Sequence, residues 1–154
     1  MPAAPFPDAS SGSLFGGRHH LPIRVYYEDT DSSGIVFHAS YVRWFERGRT
    51  EMLRSIGISL SDEAKAGTGF FAVHEMSIKW HSPARHDDAL TIMTHVGLVR
   101  AAAVVMEQCV VHQGARLCTA TVTAALLSMD GRPRRLPKSW TESFQSLASA
   151  AKSD

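Results

Sequence analysis

One strand-like run, one long amphipathic helix and then four long strand-like runs in succession constrain this chain more than any other feature. The first run covers Leu21 to Glu28, and the helical pattern follows from Ala39 to Ile56, where Gly57 stops it. Along that helix Tyr41, Val42, Trp44, Phe45, Gly48, Met52 and Ile56 share one face, while Arg43, Arg47, Thr50 and Arg54 share the other. Gly48 inside a helix costs about 1 kcal/mol relative to alanine, which a close approach of a packed sheet would offset. A short helix from Ser61 to Lys65, capped by Ser61, precedes strands at 70–81, 89–99, 101–112 and 116–128. Lys138 to Lys152 reads as an amphipathic helix carrying Trp140, Phe144 and Leu147. Consecutive strands joined by short turns pair antiparallel. The expected fold is therefore α+β, a curved antiparallel sheet of about five strands wrapped around one long helix.

A chain of 154 residues supports one domain. Residues 1–20, rich in Pro, Ala, Ser and Gly, read as a flexible tail; 21–139 form the domain, and 140–154 a terminal helix and tail. A net charge of +1 argues against a general nucleic-acid or membrane-surface binder. No apolar run reaches the length of a membrane span, and the N-terminus lacks a secretory pattern, so the expected compartment is the cytoplasm.

The segment joining first strand to helix carries the chemistry. It reads Asp29-Thr-Asp-Ser-Ser-Gly-Ile-Val-Phe-His-Ala-Ser-Tyr41, an acid, a turn glycine and a helix start in immediate succession. Asp31 would sit beside backbone N–H groups that the helix itself leaves unpaired, and such a terminus holds negative charge on an oxygen. A carboxylate next to an oxyanion site is the minimal equipment for hydrolysing an activated ester. His38 suits orienting water, holding the ester or shuttling a proton, though a histidine beside a helix start is as often structural.

Asp29-Thr30-Asp31, Gly34, Val36, His38, Tyr41, Phe45-Glu46 and Arg49-Thr50 together resemble the signature of the hotdog-fold acyl-CoA thioesterases of the 4-hydroxybenzoyl-CoA thioesterase superfamily. Tyr27 to Asp31 and His38 to Tyr41 are similar to the Tol-Pal-associated (YbgC-type) group within it, and the likeness continues through Pro83-Ala84-Arg85 with Asp87-Asp88 to Arg135-Leu136-Pro137-Lys138. The resemblance implies Asp31 as catalytic base or nucleophile, backbone amides near His38 as oxyanion donors, and participation of the His38 side chain. It places Tyr27 in support and Gly34, Val36 and Tyr41 beside the substrate, while Asp29 becomes a loop hydrogen-bonder. It further implies a homodimer or tetramer with sites at the subunit interface. The substrate it implies is a short-chain acyl-CoA, with aromatic acyl-CoA second and an acyl carrier protein as another thioester donor. No cofactor is expected, since coenzyme A is part of the substrate.

Other features leave alternatives open. Arg132, Arg134, Arg135 and Lys138 form the densest basic cluster, either a clamp for the phosphates of coenzyme A, through Arg134 and Arg135, or a solvated turn. His19-His20 and the group His81, His86, Asp87 and Asp88 match no metal spacing, so no metal is expected. Cys109 and Cys118 would face each other if Gln113-Gly114 centres a hairpin with an even loop; they form either a strained bridge or two buried thiols. A hotdog-fold hydratase is a rival, but its acid and histidine stand closer than Asp31 and His38. A non-catalytic acyl-thioester binding module is the other alternative.

Overall fold

The computed structural model describes residues 6–153. Six strands form one antiparallel sheet: β1 (Ser13–Phe15), β2 (Arg18–Arg24), β3 (Phe70–Trp80), β4 (Ala89–Val99), β5 (Ala103–His112) and β6 (Ala115–Leu127). Their spatial order is β1-β2-β4-β5-β6-β3, so β3 forms one edge. Three helices accompany them, α1 (Ser40–Ser55), α2 (Leu60–Lys65) and α3 (Lys138–Lys152).

β1 and the start of β2 correct the expected flexible tail over residues 13–20, while residues 1–5 of that tail lie outside the described residues. Ser13–Phe15 and Arg18–Arg24 make a hairpin closed by Gly16 and Gly17, whose φ values of +58° and +75° suit a two-residue turn. His19 is fully buried within it, and its Nε2 pairs with the Ser11 carbonyl at 2.8 Å. β1, Ser-Leu-Phe with all three residues exposed, is too short to show a hydrophobic period. β2 ends sooner than expected, at Arg24, because Tyr27–Asp29 turn into one 3-10 turn.

Side chains alternate across the sheet, and one face packs on α1. Tyr41, Trp44, Phe45, Met52 and Leu53 are buried there, against Ile92, Val96, Val110, Cys118 and Val122 among others. Val42 departs from the expected apolar face and is exposed, whereas Arg49 is buried. Gly48 lies so close to the sheet that a Cβ would stand 2.8 Å from Thr94 Oγ1 and 3.0 Å from Ile92 Cγ2. A polar seam fills this contact. Gln108 Nε2 donates to Phe45 O and Thr94 Oγ1, and Gln108 Oε1 accepts from Arg49 Nη1 at 3.0 Å. Satisfying these groups under the helix is what makes their burial tolerable.

α2 starts one residue earlier than its serine pattern suggests, with Ser59 rather than Ser61 at its N-cap. Trp140, Phe144 and Leu147 of α3 join the core of Met52, Val96, Met106 and Leu126, so the terminal helix is integral to the domain.

Gln113 and Gly114, at φ +48° and +80°, form the expected two-residue hairpin turn between β5 and β6. A bulge after Val111↔Arg116 then shifts the register, so Cys109 opposes Thr119 and Cys118 opposes Val110. The two cysteines therefore point to opposite faces, and both are free and buried. Burial pushes the Cys118 thiol up to about 12.

Candidate active site

The segment between β2 and α1 folds back on itself through backbone bonds. Asp31 N–H donates to Ile35 O, Gly34 N–H to Asp31 O, and Phe37 N–H to Asp29 O. Gly34 sits at φ +82° with open space around it, so its demand is for that dihedral. Asp29 acts as the loop hydrogen-bonder: its Oδ2 accepts from Tyr26 N–H at 2.8 Å, and its carbonyl accepts from the Ser40 hydroxyl. Val36 donates its N–H to Ala84 O, while the Tyr41 hydroxyl accepts from Ala84 N–H at 3.1 Å, tying the loop and the first turn of α1 to the segment after β3.

These ties surround an open cavity of about 380 Å³ lined by Asp31, Ile35, Val36, His38, Tyr41, Trp80, His81, Ser82 and Pro83. Asp31 stands exposed at its rim. Its Oδ1 accepts from both the hydroxyl and the N–H of Ser33. Those two bonds, hydroxyl first, hold the Asp31 carboxyl below its ordinary value of 3.8; slight desolvation opposes them and the charge of His38 adds to them. The group is thus an ionised carboxylate with its second oxygen free of intramolecular bonds among the described residues.

α1 begins without a capping side chain, Ala39 occupying the N-cap. Among the described residues, the amides of His38 and Ala39 donate to no backbone carbonyl. A helix start with unclaimed N–H groups beside a cavity is suited to a developing negative charge on oxygen. The imidazole of His38 has two aromatic neighbours, Phe37 tilted against it at 4.5 Å and Trp80 edge-on at 6.1 Å by centroid, and the Trp80 indole N–H donates to His38 O at 3.3 Å.

Asp31, Val36, His38 and Tyr41 thus come together, with Gly34 in the turn that holds them. Tyr27 does not join them. It is 82% exposed on the 3-10 turn, its ring edge-on to His86. Arg134 donates to the carbonyls of Gly67 and Thr68, bracing the turn before β3, and Arg135 is exposed beyond it. Neither arginine lines the Asp31 cavity. The sequence reading missed Trp80, His81 and Ser82, for which an aromatic and a histidine just before the strand-ending Pro83 were the available signal.

A family model described as Thioesterase superfamily matches residues 33–119, which is more than half of the chain. The chain belongs to the thioesterase superfamily. Acyl-CoA thioester hydrolase YbgC of Escherichia coli O6:H1 is 40% identical over 126 residues, covering 80% of this thioesterase and 93% of that protein. Acyl-CoA thioesterase YbgC of Haemophilus influenzae is 35% identical over 128 residues, covering 82% and 94%. A solved probable thioesterase from Bartonella henselae superposes with a TM-score of 0.74 at 42% identity, covering 78% of this chain and 99% of that one. This thioesterase has the hotdog fold, with six strands where about five were expected.

Proposed function

We propose that this thioesterase hydrolyses acyl-CoA thioesters to free acid and coenzyme A, with short acyl chains preferred. The observation that carries the reading is the meeting of Asp31, His38 and an uncapped helix start around one cavity. The C–S bond breaks and a C–O bond forms. In one route the Asp31 carboxylate removes a proton from water as the water attacks, and the proton passes to the departing thiolate. In the other the carboxylate attacks directly, giving a mixed anhydride that water then opens. The amides near His38 would hold the oxyanion, a contribution of about 2.7–4 kcal/mol per donor in the transition state. Asp31 is ionised at neutral pH, as either route requires, and the Ser33 bonds that hold its pKa down also make it a weaker base.

The cavity lies toward the small end of ligand sites, which run roughly 300–1,000 Å³, and this supports a small acyl group. Aromatic acyl-CoA is the second substrate class, and an acyl carrier protein a further thioester donor. The cavity is open in one chain, and edge strand β3 leaves Phe70, Val73 and Trp80 exposed. These features support a homodimer, alone or within a tetramer, in which a second protomer covers the site. In the non-catalytic alternative, the same loop would only bind the thioester.

Thiol release from acetyl-, butyryl-, octanoyl- and benzoyl-CoA tests the reading. Highest kcat/KM on acetyl- or butyryl-CoA supports it. A benzoyl preference transfers it to the aromatic class, and saturable binding without thiol release supports the binding module instead.

A further inference from the structure

The face of the sheet turned away from α1 carries a second concavity. Alternation sets Thr94, Gln108 and Ala120 under the helix and their neighbours on the outside. One polar row then crosses five strands: Arg18 opposes His95, His95 opposes Glu107, Glu107 opposes Thr121, and Thr121 opposes Ser77. The next row outside sets Met93, Cys109, Thr119 and Lys79 side by side. With Arg116 these rows line a cavity of about 330 Å³.

Its charges are unbalanced. Arg18, Lys79 and Arg116 share it with one carboxylate, Glu107, in a chain whose whole net charge is +1. Glu107 accepts from the Thr121 hydroxyl at 2.7 Å, and among the described residues no cation lies within ion-pair distance of it. Lys79 and Arg116 have no carboxylate partner there either. Arg18 is fixed in place, donating to His95 Nδ1 and to Ala151 O, each at 3.1 Å. His95 is therefore an acceptor at Nδ1, and burial followed by the charge of Arg18 lowers its pKa, which leaves its other ring N–H as a neutral donor. Cations, a ring N–H and hydroxyls gathered in one concavity match the many oxygens of a phosphate better than a single carboxylate. A second copy docked on a twofold axis would set like charges against each other, which disfavours that occupant.

We propose that this outer face binds a small phosphate-bearing anion, at a site separated by the sheet from Asp31. Two sources share that chemistry, free phosphate compounds and the nucleotide end of coenzyme A. The test titrates pyrophosphate and coenzyme A into the full chain by calorimetry, for wild type, Asp31→Asn and the double variant Lys79→Gln/Arg116→Gln. Both substituted cations are exposed, and an unchanged unfolding midpoint certifies the fold. Saturable pyrophosphate binding is expected, unchanged in Asp31→Asn and weakened more than about tenfold in the double variant, as loss of charged hydrogen bonds dictates. Alkylation of Cys109, which lines the cavity, should slow with ligand in wild type and in Asp31→Asn, and not in the double variant. A coenzyme A equivalent lost only in the double variant supports the site with the nucleotide as source; its absence alongside pyrophosphate binding supports it with free phosphates. No saturable binding, binding indifferent to the double variant, or a double variant that changes only the oligomeric mass overturns the proposal. Because Asp31→Asn is carried in parallel, failure here is distinguishable from failure of the hydrolase reading.

Discussion

Replacing Gly48 by alanine sets two effects of opposite sign against each other. At a solvent-facing helix position the change stabilises by about 1 kcal/mol through helix propensity. Here the new Cβ meets Thr94 Oγ1 at 2.8 Å, Ile92 Cγ2 at 3.0 Å and Gln108 Nε2 at 3.2 Å. Carbon atoms prefer about 3.5–4.0 Å, so α1 or the sheet must yield by roughly half an ångström. Overpacking of this kind costs about 1–3 kcal/mol. The seam compounds it, since Gln108 cannot move without loosening its bonds to Phe45 O and Thr94 Oγ1 and its hold on Arg49. Each such bond contributes about 1 kcal/mol net, more where the partner is charged. The sum favours destabilisation by about 1–3 kcal/mol. Equilibrium urea unfolding at fixed protein concentration should show a lower midpoint with an unchanged slope. A Gly48→Ala variant as stable as wild type, or more so, would refute the close-approach argument.

Ser33→Ala removes the larger of the bonds that depress the Asp31 pKa, so that pKa should rise toward 3.8 and the acid limb of kcat/KM should move to higher pH; a limb that stays in place belongs to another group. Arg134→Ala should cost about 1 kcal/mol of stability through the lost bonds to Gly67 and Thr68 without raising KM. Arg135→Ala should raise KM for acyl-CoA at constant kcat if the basic cluster clamps phosphate, and an unchanged KM makes the cluster a solvated turn. Thiol titration should find two free thiols per chain under denaturing, non-reducing conditions, with Cys118 unreactive in the native state; one bridge per chain would contradict the bulged register.

Elements with strong periodicity were legible in the sequence. The apolar stripe from Tyr41 to Met52 located α1, and the bounds expected for residues 89–99 and 138–152 match β4 and α3. What escaped were features without a hydrophobic signature. The β1–β2 hairpin is built from Ser, Leu, Phe, Arg and His around Gly16-Gly17, and its buried members include His19, which a composition search counts as polar. Nothing local marked Arg49, quoted only within the family signature, as buried, because its partner Gln108 lies 59 positions away. The bulge beside Val110 adds a residue with no local mark, so a correctly placed turn still gave the wrong cysteine register. At the site, Asp31, His38 and Tyr41 lie within one short segment and were readable together. Trp80 and His81 reach the same cavity only through sheet pairing, which no local pattern encodes.

The central claim is that the Asp31 carboxylate drives thioester cleavage. Asparagine at this position keeps an oxygen able to accept both Ser33 bonds, so the loop should persist while the charge is gone. The decisive measurement is single-turnover cleavage of butyryl-CoA by wild type and Asp31→Asn, in water labelled with heavy oxygen. Loss of about 10²–10⁴ in rate is expected with the unfolding midpoint unchanged. In wild type, label left on Asp31 at first turnover identifies the anhydride route, whereas label in the released acid alone is common to the general-base route and to an anhydride opened at its acyl carbon. A folded Asp31→Asn variant that still cleaves at the wild-type rate would contradict the account.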